Sequence, residues 1–372
     1  MPDTRDRDRE RFAARMAEIL NYGALNLAMA IGYRTGLFDA MDRLEEPRSA
    51  DDVAAAAGLN PRYVREWLAV MTTGGVVQLT EGENGQDLYR LPKAHADLLA
   101  RRSGSANLGV YTQEMPLLTA IALESVIAGF ATGEGVPYER YPRFQQFMTE
   151  LADAKHRRML VPRFLPSVDG GRMATRLAGG IQACDLGCGE GLALLLMAEA
   201  YPASRFVGID ICAESIARGR ESARQQGLAN AVFICGDVVT LALEDGMAER
   251  FDYITAFDAI HDQTRPLEAL RAAHAMLRPG GAFSMVDIAA DSRLAANLDH
   301  PMGPFLYTVS LMHCMPVGLV DGGMGLGMMW GRQRAVDLLK QAGFAEVAVD
   351  AIPEDAFNLH FFACKPQQAP RP

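Results

Sequence analysis

Residues Ala183–Gly191 read ACDLGCGEG, a short apolar run that passes into a turn with three alternating glycines. The next segment, Leu192–Ala200, has the composition of a helix. We expect a strand, a glycine turn and a helix in succession, because glycine reaches left-handed backbone conformations and lets a ligand lie against the main chain. Such turns also bind dinucleotides and phosphates, so the neighbouring segments decide what this one binds.

The next two predicted strands are each followed by, or end in, an acidic residue. The strand over residues 205–210 ends in Asp210, nineteen positions beyond the last glycine of the turn. An acid at that place is suited to a ribose diol. The strand over residues 232–235 is followed by Asp237, a carboxylate at the height of an adenine ring. A dinucleotide turn requires the spacing Gly-x-Gly-x-x-Gly, so the alternating glycines and two acids favour a single nucleoside.

From Gln182 onward, apolar strands alternate with amphipathic helices, which is typical of a parallel α/β sheet. The remaining elements are predicted at about 251–257 (strand), 266–277 (helix), 282–287 (strand), 332–341 (helix), and 347–352 with 359–364 (a terminal antiparallel hairpin). Ligands of open α/β sheets bind at the carboxyl ends of the strands, so we expect the site there.

The amino-terminal region has a different pattern. A capping box at Ser49 and Asp52 and a stop at Gly58 define one helix, and a second is predicted over residues 62–71. Two short strands around the turn-rich residues 82–85 complete the arrangement of a winged helix. Residues 8–31 form a further helix so apolar toward its end that we expect a second subunit to cover it.

A winged helix commonly binds DNA, but this one is acidic. The helix that would enter the major groove offers only Arg62 and Arg65, with Glu66 beside them. Residues 37–102 contain eight Arg and Lys against eleven Asp and Glu, a net charge of −3. We therefore interpret the winged helix as a dimerisation element that also walls a pocket, and keep the DNA-binding regulator as the alternative.

Composition sets the remaining bounds. The net charge of −10 disfavours nucleic acid and anionic lipid as partners. The six cysteines are expected to be reduced and buried, and their spacing predicts no metal site. The sequence shows no evident leader or uninterrupted membrane-spanning segment, so a cytoplasmic protein is expected.

The region 182–365 resembles class I S-adenosylmethionine (SAM)-dependent methyltransferases. A narrower resemblance, to bacterial winged-helix methyltransferases often labelled transcriptional regulators, rests on residues 135–138 (GVPY), 257–263 (FDAIHDQ) and 324–331 (MGLGMMWG) as well as the winged-helix start. The layout is similar to that of plant O-methyltransferases. The resemblance implies an α/β fold, with a Rossmann-like seven-stranded methyltransferase domain preceded by an α-helical winged-helix domain.

The resemblance also implies the cofactor and the residues around it. The cofactor is expected to be SAM, and the product S-adenosylhomocysteine. The residues expected to bind it are Asp185, Gly187, Cys188, Gly189, Asp210, Ile211, Gly236, Asp237, Val238 and Phe257.

Methyl transfer is an in-line displacement that depends mainly on alignment, with a general base where the acceptor carries a proton. The predicted base is His261, with Asp258 or Asp262 to orient it or hold it protonated. His261 could equally be a scaffold residue. The residues expected to line a substrate pocket are Tyr111, Tyr138, Tyr141, His313, Met315 and Trp330.

We thus predict three regions: a dimerisation domain over 1–102, a helical connector over 103–178, and a methyltransferase domain over 179–372 with a substrate-lid insertion at about 288–331. The predicted function is methylation, most simply O-methylation, of a small molecule by a homodimer. Two alternatives stay open. One is a regulator that senses SAM and binds DNA, and the other is an enzyme that uses SAM for different chemistry.

Overall fold

A computed structural model of the chain divides into two compact units, Met1–Leu117 and Leu118–Pro372. The structure describes residues 4–367, apart from the side chains at 105, 142, 143, 145, 146, 149, 150 and 152–154. The domain limits predicted at 102 and 178 stay predictions.

The first unit is helical with a two-stranded wing. Its elements are α1 (Thr4–Thr35), α2 (Leu37–Arg43), α3 (Ala50–Ala57), α4 (Pro61–Thr73), β1 (Gln78–Glu81), β2 (Asp87–Arg90) and α5 (Lys93–Leu99). The predicted capping box begins α3, because Ser49 Oγ accepts from the Asp52 amide at 3.2 Å and Asp52 Oδ2 accepts from the Ser49 amide. Gly58 ends α3 in a left-handed conformation, and β1 pairs antiparallel with β2.

Only the carboxyl-terminal half of α1 is packed within this unit. Trp67 Nε1 of α4 donates to the Ala28 carbonyl at 2.8 Å, and a Cβ on Gly32 would lie 2.5 Å from the Trp67 ring. A glycine at position 32 therefore allows α1 and α4 to approach closely. The other half of α1 exposes apolar side chains that include Ile19 and Leu20, the latter 67% exposed.

The second unit begins with the connecting helices. After α6 (Glu114–Thr132), they are α7 (Pro142–Met159), α8 (Leu165–Ser167) and α9 (Arg172–Gly179). The stretch Gly109–Thr132 is long and apolar enough to cross a membrane, by length and composition alone. Length and composition do not distinguish a spanning helix from one covered by protein, so the expected absence of a membrane-spanning segment stays a prediction.

A seven-stranded sheet organises the rest of the second unit. In chain order its elements are β3 (Gln182–Leu186), α10 (Leu192–Ala200), β4 (Arg205–Asp210), α11 (Ala213–Gln225), β5 (Ala231–Cys235), α12 (Val238–Leu241), β6 (Phe251–Phe257), α13 (Pro266–Met276), β7 (Leu277–Ile288), α14 (Gly303–Val309), α15 (Met315–Gly318), α16 (Arg332–Gln341), β8 (Val347–Ile352) and β9 (Asp355–Cys364).

The strand order is β5-β4-β3-β6-β7-β9-β8. Strands β3 to β7 are mutually parallel, whereas β9 runs antiparallel to both β7 and β8. Buried apolar side chains cover both faces of the sheet, as a parallel sheet with helices on both sides requires. The predicted α/β fold and its terminal hairpin are confirmed.

The topology brings the carboxyl ends of β3, β4, β6 and β7 to one edge. The predicted lid region follows β7 and includes α14, a π-helical turn at Ser310–Cys314, and α15. A π-helical turn is rare, and such turns often occur at functional sites. This turn carries His313 and Cys314 toward the interior, where both are buried.

Candidate active site

The glycine turn after β3 forms a cradle that is open on one side. Gly187, Gly189 and Gly191 all have positive φ, at 67°, 55° and 79°. A Cβ on Gly191 would collide with the Phe233 ring at 2.1 Å, and a Cβ on Gly187 would lie 2.5 Å from Ala259 Cβ. No described atom lies within 4 Å of a Cβ built on Gly189. The turn is therefore packed on both sides but leaves space above its middle glycine.

Asp210 holds this turn in place. Its carboxylate accepts from the amide of Gly189 and from that of Cys212, each at 2.8 Å. Burial nonetheless raises the pKa of Asp210, since desolvation outweighs these hydrogen bonds. A carboxylate has about four acceptor positions. Those left over are available to a diol at the end of β4.

Asp185, the next-to-last residue of β3, is buried. Thr255 Oγ1 donates to Asp185 Oδ1 at 2.7 Å, and burial raises the pKa of Asp185 to about 7. A cation bound nearby stabilises the carboxylate and lowers that pKa. The amino group of a methionyl moiety is such a cation.

The end of β5 lies next to that of β4, because the Gly236 amide donates to the Asp210 carbonyl at 3.0 Å. Asp237 caps α12 by accepting from the Val239 amide at 2.9 Å, and its second oxygen pairs with Arg265. Arg265 is more than half exposed, so the ion pair is weak.

The other four predicted cofactor residues differ in how far they are buried. Cys188 is partly buried in the turn, where burial raises the pKa of its thiol. Val238 is buried, whereas Ile211 is 69% exposed and available to cover a ligand. Phe257 ends β6 with its ring centroid 5.2 Å from that of His156 and 5.8 Å from that of Phe164.

His261 lies in the loop after β6, and a carboxylate outside the predicted set binds it. His261 Nδ1 and Asp287 Oδ1 are 2.8 Å apart, and both side chains are buried. Because a carboxylate only accepts, Nδ1 carries the proton and Nε2 faces the other way. Nε2 lies 3.4 Å from Asp262 Oδ1.

The two carboxylates determine the charge of this ring. Burial opposes protonation, but the negative charges of Asp287 and Asp262 outweigh it, so the pKa of His261 lies well above its ordinary value. The protonated form of His261 is therefore easier to populate than that of a histidine in water. Asp287 and Asp262 both favour that form.

Asp258 lies near Lys155. Its Oδ2 lies 4.0 Å from Lys155 Nζ, which also forms a 2.8 Å ion pair with Asp355. Burial raises the pKa of Asp258 to about 6, and its backbone has a left-handed φ of 49°. The orienting hydrogen bond predicted for Asp258 or Asp262 is instead made by Asp287.

Aromatic rings surround His313 on the π-helical turn. Its ring centroid lies 4.5 Å from that of Phe144, 4.7 Å from that of Tyr141 and 6.0 Å from that of Tyr138. Tyr141 is fixed by donating its hydroxyl to the Met312 carbonyl at 2.9 Å. Burial lowers the pKa of His313, whereas the carboxylates beside His261 raise the pKa of that ring.

The other three residues predicted for the substrate pocket have different surroundings within their own units. Tyr111 belongs to the first unit, in a short 3-10 turn. Trp330 is buried in the main hydrophobic core with Leu326 and α16. Met315 lines an apolar cavity of about 180 Å³ together with Phe130 and other side chains of α6 and α15.

Asp287 was missed although the sequence contains its signal. It is the acid near the end of an apolar strand, as Asp210 is, and the two strands end at the same edge of the sheet. Applying the strand-end argument to β7 as well as to β4 would have identified it.

Two family descriptions match the chain. Residues 177–303 match a methyltransferase domain, and residues 23–101 match the Rv2258c-like winged helix-turn-helix domain. The chain is 35% identical to the arsenite methyltransferase of Aquipseudomonas alcaligenes over 136 residues, which are 34% of this chain and 38% of that protein. It is 26% identical to the human mitochondrial 2-methoxy-6-polyprenyl-1,4-benzoquinol methylase over 168 residues, 42% of this chain and 48% of that protein. The chain thus spans less than half the length of these relatives.

Solved structures match over nearly the whole length. Human N-acetylserotonin methyltransferase in complex with SAM has a TM-score of 0.66 at 18% identity, covering 95% of this chain and 98% of that one. The mitomycin 7-O-methyltransferase has a TM-score of 0.68 at 17% identity, covering 96% and 99%. At these identities the likeness shows the fold.

Residues 177–303 are thus a methyltransferase domain, and its fold is the one shared by the SAM-dependent methyltransferases among the solved structures. In this chain it follows a winged helix-turn-helix domain, the combination that the sequence predicted. The predicted enzyme class and its cofactor, SAM, are confirmed for the domain. The alternative of a DNA-binding regulator is not favoured by these matches.

Proposed function

We propose that the whole protein transfers the methyl group of SAM to an oxygen of a small molecule, with His261 as the general base. The observation that carries this proposal is the 2.8 Å hydrogen bond between His261 and Asp287 at the carboxyl edge of the sheet. This bond fixes the ring so that Nε2 points away from Asp287. An orienting carboxylate behind a histidine is the arrangement by which enzymes hold a base in one tautomer.

The residues at the ends of β3, β4 and β5 fit the cofactor. The space above Gly189 admits a ligand against the main chain, and Asp210 retains acceptor positions for a ribose. Bound SAM supplies an electrophilic methyl group on a positively charged sulfur. The loop that carries His261 touches the glycine turn through Ala259 and Gly187, so base and cofactor cradle are neighbours.

His261 has to lose one proton before it accepts another. Its carboxylate neighbours stabilise the protonated ring, and a positive charge in the adjacent cofactor site opposes it. We therefore infer that the base form of His261 is more populated with the cofactor bound than without it. Asp287 then stabilises the imidazolium again as the proton arrives from the acceptor hydroxyl.

The surroundings of His261 favour a small aromatic or similarly apolar acceptor. Tyr138, Tyr141 and Phe144 form an aromatic wall around His313. Exclusion of water and alignment are the main requirements of an in-line methyl transfer, and alignment alone supplies on the order of 7–11 kcal/mol.

Incubation with radiolabelled SAM and a panel of phenols, thiols, amines and carboxylic acids tests the proposal. We expect a labelled phenol or alcohol, and a loss in kcat of at least about 100-fold in His261→Ala with SAM affinity nearly unchanged. His95→Ala, in the first unit, is the matched control. Full activity of His261→Ala contradicts the role of His261 as the base. Label only on thiols or carboxylic acids contradicts O-methylation of a hydroxyl, since a carboxylic acid is deprotonated at neutral pH and a thiol is partly so.

We also propose a homodimer built through α1 and no binding to nucleic acid. The apolar side chains exposed on α1 support the first part. The two arginines of α4 support the second, because Arg62 pairs with Glu66 and Arg65 with Asp51. Retention on heparin at low salt tests this part, and tight binding that weakens steeply with salt would overturn it.

A cytoplasmic location without membrane binding completes the proposal. The net charge of −10 supports it, since anionic lipid repels an acidic protein. The apolar stretch Gly109–Thr132 is the segment that argues against it. Flotation of the protein with vesicles of phosphatidylcholine and phosphatidylserine distinguishes a soluble protein from a membrane-bound one. Co-flotation with the vesicles would contradict the proposed location.

A further inference from the structure

Three potential metal ligands from two distant segments meet beside the proposed base. His261 and Asp262 come from the loop after β6, and Cys314 comes from the π-helical turn. One ligand atom of each lies within 4.8 Å of the others. In the described part of the chain, these are the residues that meet as a possible ligand set.

The distance between His261 and Asp262 suits two ligands of a single ion. His261 Nε2 and Asp262 Oδ1 are 3.4 Å apart. Ligand atoms around a tetrahedral zinc ion, at bond lengths of 2.0–2.3 Å, are separated by about 3.3–3.8 Å. Asp262 Oδ1 is buried and has no hydrogen-bond partner among the described residues, so one oxygen that faces the cluster is unsatisfied.

Asp287 supplies the support that such a site needs. Histidines that bind metals usually donate their other ring nitrogen to a carboxylate, which fixes the tautomer. Here His261 Nδ1 donates to Asp287 at 2.8 Å, so the Nε2 lone pair of the neutral ring faces Asp262. The general base and a metal ion would therefore use the same nitrogen.

The donor set selects a class of ion. Imidazole, thiolate and carboxylate together suit zinc and cobalt, whereas magnesium and calcium prefer oxygen ligands alone. Cys314 keeps its proton in the metal-free protein, because burial raises the pKa of its thiol to about 12. It gives up that proton on binding, since the thiolate is the ligand. His313 Nδ1 lies 3.6 Å from Cys314 Sγ and 3.9 Å from Asp262 Oδ2, close to two of the three proposed ligands.

We propose that His261, Asp262 and Cys314 bind Zn²⁺ or a chemically similar cation, and that this ion inhibits methyl transfer by occupying His261 Nε2. The binding half of the proposal is independent of the reaction. The inhibitory half rests on the proposed function, in which Nε2 accepts the proton of the acceptor.

Titration of the chelator-treated full-length protein with Co²⁺ tests the binding half. We expect one equivalent to give the visible bands of a tetrahedral site and a thiolate-to-cobalt band in the near ultraviolet, with Zn²⁺ displacing both. Cys314→Ser should lose the thiolate band, and Cys364→Ser, which changes an exposed thiol, should keep it. Asp287→Asn should weaken Zn²⁺ binding by about 10–100-fold.

Wild-type protein without the thiolate band, or Cys314→Ser with it, overturns the site. If Cys314→Ser fails to fold, as judged by circular dichroism and SAM calorimetry, then His261→Gln has to lose the tetrahedral spectrum instead. For the inhibitory half, Zn²⁺ should reduce wild-type turnover reversibly, and at least tenfold more Zn²⁺ should be needed in Cys314→Ser.

The two proposals fail separately. Metal binding in a protein that methylates nothing contradicts only the proposed function. Turnover that depends on His261 but is indifferent to Zn²⁺, in a protein without the cobalt spectrum, contradicts only the metal site.

Discussion

The replacement Asp287→Asn removes one negative charge from the site with little change of shape. Asp287 is buried, and its Oδ1 accepts from His261 Nδ1 and from the Ile288 amide, each at 2.8 Å. Asn can keep these two bonds through its own Oδ1. The amide group then replaces Oδ2, which has no hydrogen-bond partner among the described residues, so a buried donor is left unsatisfied. We expect a loss of about 1–3 kcal/mol in the free energy of unfolding, measurable with urea.

The expected effect on His261 follows from the lost charge. Two unit charges about 4 Å apart interact by about 4 kcal/mol at an effective dielectric constant of 20. Measured shifts from a neighbouring opposite charge are about 1–3 pKa units, and we expect the pKa of His261 to fall by that amount. The imidazolium that forms during the reaction loses the same support. A shift of 1–3 pKa units is about 1.4–4 kcal/mol, which corresponds to a decrease in kcat of roughly 10–1000-fold.

Two measurements check this prediction. Long-range ¹H–¹⁵N NMR of labelled histidine gives the pKa and tautomer of His261 without requiring an acceptor. Turnover with an acceptor identified from the panel gives kcat, and SAM calorimetry checks that the fold and cofactor site are intact. Asp258→Asn is the control, since that carboxylate lies in the same loop as His261, 4.0 Å from Lys155 Nζ, and makes no hydrogen bond to His261 in the described structure. A pKa and kcat for Asp287→Asn close to wild type, or a larger effect of Asp258→Asn, would refute the reasoning.

Three further predictions concern the charge of the base, the cofactor and the dimer. Because the pKa of His261 is raised, its base form appears only as the pH rises through that pKa. Asp262→Asn removes a negative charge and lowers this pKa, so the acidic limb of the kcat profile should move about 1–3 units to lower pH. The plateau of kcat at high pH should stay within about tenfold of wild type. Asp210→Asn should weaken SAM binding about 10–150-fold in calorimetry, because bonds to a charged acceptor contribute about 1.5–3 kcal/mol. Leu20→Asp should dissociate the dimer in sedimentation, because it places a charge on the apolar face of α1.

Each of these predictions has a control and a contradicting outcome. For Asp262→Asn, an unmoved acidic limb shows that another group controls the pH dependence. Asp245→Asn, at an exposed acid, controls for Asp210→Asn, and equal SAM affinity of the two variants removes Asp210 from the cofactor site. Leu243→Asp changes a leucine that is 85% exposed in the second unit, so dissociation caused by it, or an unchanged Leu20→Asp dimer, contradicts the proposed interface.

The sequence by itself determined the fold and predicted which acids and glycines meet at the carboxyl edge of the sheet. Parallel strands end at a common edge, so an acid near the end of a predicted strand can be placed without knowing any tertiary contact. This is why Asp210, Asp237 and the glycine turn could be assigned from residue order alone. Asp287 obeys the same rule and was overlooked. The capping box at Ser49 and the winged-helix pattern were likewise predictable, because local hydrogen bonds and periodicity encode them.

The tertiary structure decided what surrounds His261. The cysteine spacing in the sequence predicted no metal site, yet Cys314 meets Asp262 and His261 across 52 positions of chain. That contact depends on the fold of the region after β7 and on the π-helical turn that aims His313 and Cys314 inward. The protonation state of His261 depends in the same way on two carboxylates held within 3.4 Å in a buried place. Electrostatic energies depend on distance and burial rather than on order along the chain, and for this reason only the packed structure could supply them.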